Sequence, residues 1–114
     1  QLRFEKQEIL KVANLDNKNK ILKIKDVAKG SGNFVTTTIK SVLTEAVKIE
    51  ATKIILIHNH PSGDPTPSKN DIEFTEKVQQ ATKILGIQLL DHIVIGKTSY
   101  VSIFSQIPKF IERI

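Results

Sequence analysis

His58 and His60 stand two residues apart at the end of a short apolar run, and Asp71 follows across a loop holding three prolines. On an extended strand, residues two apart leave the same face, so both imidazoles can converge on one ion. Neutral imidazole is a good zinc ligand. The loop from His58 to Pro67 must bring a third ligand back, and Asp71, in the first turn of the next helix, is the available carboxylate. Two histidines and one carboxylate leave the fourth tetrahedral position open to water, the arrangement of a catalytic rather than a structural zinc. Zinc lowers the pKa of water in that position to about 7, which supplies a nucleophile at neutral pH; a carboxylate must still take and return the proton. The same residues have plainer uses. Ser68 with an acid three residues on is also a helix-capping pattern, and a single histidine at a strand end is more often structural. The string His-Asn-His-Pro-Ser-Gly-Asp-Pro, with Ser68 and Asp71 beyond it, is too specific for turn chemistry alone.

The elements that must position these residues are legible from periodicity. Gln7 to Leu15 and Lys20 to Val27, joined by Asp16-Asn17-Lys18-Asn19, read as a β-hairpin. Gly30-Ser31-Gly32-Asn33 breaks the pattern, and the β-branched run Phe34 to Thr38 extends the sheet. Val42, Leu43, Ala46 and Val47 recur at helical intervals, which predicts an amphipathic helix over Ile39 to Ala51. Lys53 to Ile57 reads as a strand buried on both faces and ending at His58. A second helix opens at Ser68 to Asp71, runs to Leu85 and stops at Gly86. Gln88 to Ile95 is another strand, Gly96-Lys97-Thr98-Ser99 a turn and Tyr100 to Phe104 a last strand; the tail after Pro108 is a short helical or irregular end. This order implies an α/β fold, a central mixed β-sheet flanked by two main helices, one on either side. Residues 1–114 fit one domain with one core.

Composition narrows the chemistry further. With no cysteine, disulfides, thiolate zinc sites and a cysteine nucleophile are excluded, so any metal is held by nitrogen and oxygen. A zinc nucleobase deaminase is excluded as well, because it needs His-x-Glu and Pro-Cys-x-x-Cys. The excess of 17 Lys and Arg over 12 Asp and Glu gives +5, which favours polyanions without requiring one. Lys18, Lys20, Lys23 and Lys25 form a basic ribbon. Alternation in Leu22-Lys23-Ile24-Lys25 places the lysines on the wet face of a half-buried strand, where they protect an edge; DNA contact is the other use. One Tyr and no Trp leave no stacking platform for single strands. No apolar stretch nears the roughly 20 residues of a membrane span. The expectation is a soluble, cytoplasmic protein with no membrane partner, a homodimer being compatible. The absence of methionine suggests a fragment of a longer chain.

His58-x-His60, seven residues, Ser68, two residues and Asp71 resemble the signature of the JAMM metalloproteases, and the fuller text resembles their bacterial RadC branch. The likeness runs through Gln7-Glu8, Leu15-Asp16-Asn17, His58 to Asp71 and Leu90-Asp91-His92-Ile93-Val94-Ile95-Gly96, almost the whole chain. It implies a JAB/MPN fold of cytidine-deaminase-like architecture, with Zn2+ on His58, His60 and Asp71. It also implies Glu8 as general base, in competition with Glu5, Glu45 and Glu50, and Ser68 steadying the oxyanion or bound water. The implied activity is cleavage of a peptide or isopeptide bond in a protein or peptide substrate. The alternatives it leaves are a DNA-associated accessory domain in repair or recombination, and a non-catalytic scaffold. One departure stands out: relatives carry Pro-Arg-Glu where this chain has Ile39-Lys40-Ser41, keeping the positive charge and losing the acid. Asp91 and His92 fall on opposite faces of their strand. Hydrogen bonding across the sheet is their expected role and support of the metal ligands the alternative; neither is placed in the catalytic set.

Overall fold

The computed structural model describes residues 2–4, 6–30 and 39–111. Strands β1 (Glu8–Leu15) and β2 (Ile21–Gly30) form the expected hairpin. Asp16 closes its turn by accepting from the backbone N–H groups of Lys18 and Lys20 at 2.8 and 2.9 Å, and Asn19 takes a φ of 64°, a left-handed conformation asparagine tolerates. Then come α1 (Ile39–Lys48), β3 (Lys53–Asn59), α2 (Lys69–Leu85), β4 (Gln88–Ile95) and β5 (Tyr100–Ser102), followed by the single-turn helices α3 (Ile103–Gln106) and α4 (Pro108–Ile111). The strands lie in the order β2-β1-β3-β4-β5. Every neighbouring pair is antiparallel except β3 and β4, which run parallel. That pairing needs a crossover, and α2 supplies it. The fold is α/β, a mixed sheet flanked by helices.

The core lies on one face of the sheet. Leu10, Val12, Ile54, Leu56 and Val94 pack against Val42, Leu43 and Ala46 of α1 and against Phe74 and Val78 of α2. Both main helices therefore share a face, and Leu43, Val47, Ile84 and Leu85 line an apolar groove between them. The expectation of one helix on either side is corrected by this arrangement. Its cause is visible in β3, where Ile54, Leu56 and His58 are buried while Ile55 and Ile57, on the other face, are only half-buried. The strand is not equally covered on both faces, and the two helical apolar stripes close over the same one.

Two further expectations change. The last strand stops at Ser102 rather than Phe104: the Ser102 hydroxyl accepts from the Ser105 N–H at 3.3 Å and the Asp91 carboxylate accepts from the Phe104 N–H at 3.1 Å. These caps start α3 and turn Ile103 and Phe104 into the core. On β2 the buried apolar face of the amphipathic reading is missing, since Lys23 and Lys25 are about as exposed as the apolar residues beside them. Leu22 and Ile24 are 45% and 50% exposed, while Lys23 and Lys25 lean over α1 and pair with the buried Glu45 at 3.4 and 3.1 Å. A carboxylate in that position requires cations, which β2 provides. The lysines in turn hold its pKa below the ordinary carboxylate value. The run Phe34 to Thr38 lies outside the described residues. Among those described, no helix is long and apolar enough to cross a membrane.

Candidate metal centre

The site forms where β3 ends beside β4. His58 occupies the core face of β3, and the His60 N–H continues the pairing by donating to the Ile95 carbonyl at 2.9 Å. The following loop folds back on the turn after β4: the Gly63 N–H donates to the His60 carbonyl and the Lys97 N–H to the Gly63 carbonyl, both at 2.9 Å. The approach is so close that a Cβ at Gly96 would collide with the Gly63 carbonyl oxygen and with Pro65. The chain then enters α2 through a capping box. Ser68 Oγ accepts from the Asp71 N–H at 3.0 Å, and Asp71 Oδ2 accepts from the Ser68 N–H at 2.8 Å.

Capping does not consume Asp71. Its Oδ2 lies 3.0 Å from His60 Nε2 and its Oδ1 3.4 Å from His58 Nε2, and the two Nε2 atoms are 3.1 Å apart. Ligands on a tetrahedral zinc, bonded at about 2.0–2.1 Å, sit about 3.4 Å from one another. The three side chains fit that spacing with little movement. Each ring is also held by its other nitrogen, as zinc-binding histidines are. His60 Nδ1 lies 2.9 Å from the Asp64 carbonyl oxygen, which can only accept, so Nδ1 carries the proton. His58 Nδ1 lies 2.6 Å from His92 Nε2, and His92 Nδ1 lies 2.6 Å from Thr75 Oγ1.

Electrostatics follow from this packing. Burial pushes the Asp71 carboxyl up, but the imidazoles of His58 and His60 beside it, with the Ser68 backbone N–H, outweigh it and hold the group well below the usual carboxylate range. The Asp71 hydrogen bond raises His60 above the ordinary 6.5, so positive charge is favoured between them, where a cation fits. Burial lowers His58 despite the same carboxylate, and burial lowers His92 further.

Glu8 opens β1 on the near side of the cluster, and one donor atom each from Glu8, His58 and His60 lies within 4.8 Å of the others. Glu8 therefore forms a second donor set with the two histidines, looser than the one completed by Asp71. Burial raises its pKa, opposed by His60 and assisted by Asp71. Its backbone is clamped by the buried Asn59, whose Oδ1 accepts from the Ile9 N–H at 2.7 Å and whose Nδ2 donates to the Gln7 carbonyl at 2.9 Å. Of the competing acids, Glu45 is engaged by lysines, Glu50 lies beyond the end of α1, and Glu5 falls outside the described residues. Ser68 reaches the cluster through Asp71.

Sequence reasoning did not single out Asn59 or Thr75, and it left His92 outside the set. Alternation does separate the pair on β4: Asp91 holds the start of α3, while His92 faces His58. The signal for His92 is its parity with His58 on neighbouring strands, which needs the register Leu56 to His92 and His58 to Val94.

Known proteins resemble this chain over most of its length. A family model described as RadC-like JAB domain matches residues 1–107. A UPF0758 protein of Clostridium botulinum (strain Alaska E43 / Type E3) is 53% identical over 98 residues, covering 86% of this chain and 43% of that protein. A UPF0758 protein of Clostridium perfringens (strain ATCC 13124) is 45% identical over 103 residues, covering 90% and 45%. A third, of Carboxydothermus hydrogenoformans, is 49% identical over 98 residues, covering 86% and 43%. The chain thus spans less than half the length of these relatives.

Proposed function

The chain belongs to the RadC-like JAB domain family, and on that footing we propose that it is a zinc-dependent hydrolase cleaving a peptide or isopeptide bond, with zinc on His58, His60 and Asp71. The observation that carries this reading is the convergence of two imidazole Nε2 atoms and one carboxylate at 3.0 to 3.4 Å, each ring held by its opposite nitrogen. Three electron-pair donors facing one another call for a cation between them. When bound, zinc supplies a Lewis acid that polarises the substrate carbonyl and lowers the pKa of water.

The chain's own residues supply the rest. Asp71 stays ionised and, with His60, keeps the donor set in place. Glu8 accepts the proton of the attacking water and returns it to the nitrogen of the leaving amine; its burial-raised pKa suits a group that must both take and give. Ser68 spends a lone pair on the helix cap, which leaves its hydroxyl proton to donate to the developing oxyanion. Zinc content and cleavage of an unbiased peptide library, measured on wild type and Glu8→Gln, test these roles. The variant is expected to keep its zinc and lose roughly 10²- to 10⁴-fold in turnover. Undiminished turnover in Glu8→Gln would remove Glu8 from the mechanism.

A further inference from the structure

We propose that His92 and Thr75 are positioning residues that lock His58 in the tautomer whose Nε2 lone pair faces the metal; this rests on the zinc reading above.

The proton positions follow from one hydroxyl. Thr75 Oγ1 donates its only proton to the backbone carbonyl of Asp71 at 2.7 Å. Toward His92 Nδ1, 2.6 Å away, it therefore presents a lone pair, and His92 Nδ1 carries a proton. His92 is fully buried, and a second proton would make it a buried cation facing another imidazole, which is costly. Its Nε2 is thus an acceptor, so the proton in the 2.6 Å contact belongs to His58 Nδ1. His58 Nε2 is left with its lone pair toward His60 and Asp71.

The relay begins and ends on one residue. The Asp71 carbonyl anchors it through Thr75, and the Asp71 carboxylate faces the nitrogen whose lone pair the relay fixes. His60 needs no such device, because the Asp64 carbonyl sets its tautomer directly. Without the Thr75 hydroxyl, His92 is released to carry its proton on Nε2 and donate to His58 Nδ1. That drives the His58 proton to Nε2, where it blocks zinc.

The test uses Thr75→Val, which keeps the shape and deletes the hydroxyl, and His92→Gln, whose amide can accept from His58 and donate to Thr75. Ring 15N spectra of the metal-free proteins at neutral pH report the His58 tautomer, and competition with a chromophoric chelator reports zinc affinity. Wild-type His58 is expected to be protonated on Nδ1. Thr75→Val is expected to shift that proton toward Nε2 and to bind zinc about 10- to 100-fold more weakly, with His92→Gln closer to wild type. A packing role alone would leave the tautomer unmoved. An Nε2-protonated His58 in wild type overturns the relay whether or not the variants fold, and so does wild-type zinc affinity in folded Thr75→Val. If wild type takes up no zinc, the metal reading falls and the relay falls with it.

Discussion

Asp71 does the most with the fewest atoms. Its N–H and one carboxylate oxygen complete the α2 cap, both carboxylate oxygens meet histidine nitrogens, and its carbonyl receives the Thr75 hydroxyl. Because hydrogen bonds keep it ionised, zinc need not displace a proton from it at neutral pH. His60 differs. Its pKa is raised above the ordinary 6.5 by Asp71, so zinc competes there with a proton that Asp71 favours. His58, lowered by burial, is already neutral in that range. Zinc affinity is therefore expected to weaken as pH falls through the raised His60 value, starting above 6.5 and approaching about tenfold per pH unit for the one proton exchanged. Chelator competition between about pH 8 and pH 6 measures it; an affinity flat across that range contradicts the proton–metal exchange. His58, His60 and Asp71 were readable because a spacing of two and a capping pattern are local facts. Thr75 and His92 were not, since the first looks like an ordinary helical threonine and the second depends on strand register.

At the scale of elements, the site is where the parallel pair β3 and β4, the loop 60–67 and the start of α2 meet. The Gly63, Lys97 and His60 backbone bonds lace the loop to β4 and its following turn, and the Asp64 carbonyl carried by that loop orients His60. Gly96→Ala is therefore expected to disturb chemistry from a distance. Its Cβ collides with backbone at Gly63 and with the Pro65 ring, neither of which yields easily. Stability should fall by about 1–3 kcal/mol, read from the urea midpoint, and zinc affinity should fall with it; a variant unchanged in both shows that the loop is not braced here. The boundaries of β4 and the end of α2 at Gly86 were legible from alternation and a left-handed C-cap, φ 74°. The end of β5 was not, because Asp91, eleven residues before Ser102, helps decide it. Nor was the facing of β2, where buried Glu45 attracts Lys23 and Lys25 against the apolar alternation.

For the whole molecule, sequence order gave the α/β class and the sheet, while the placement of both main helices on one face came from packing that alternation in a single strand does not report. The net charge of +5 already counts every acid, but within the basic ribbon Lys23 and Lys25 both turn to Glu45. That draws the functional reading toward the histidine cluster and away from the basic ribbon. The central claim is that His58, His60 and Asp71 together hold one zinc. Its most direct test is the zinc bound per chain, measured by mass spectrometry after equilibration with excess zinc and removal of loose metal, in wild type and His60→Ala. About one zinc per wild-type chain and almost none in the variant is the expected result; a wild type without zinc, or a variant that holds as much, contradicts it.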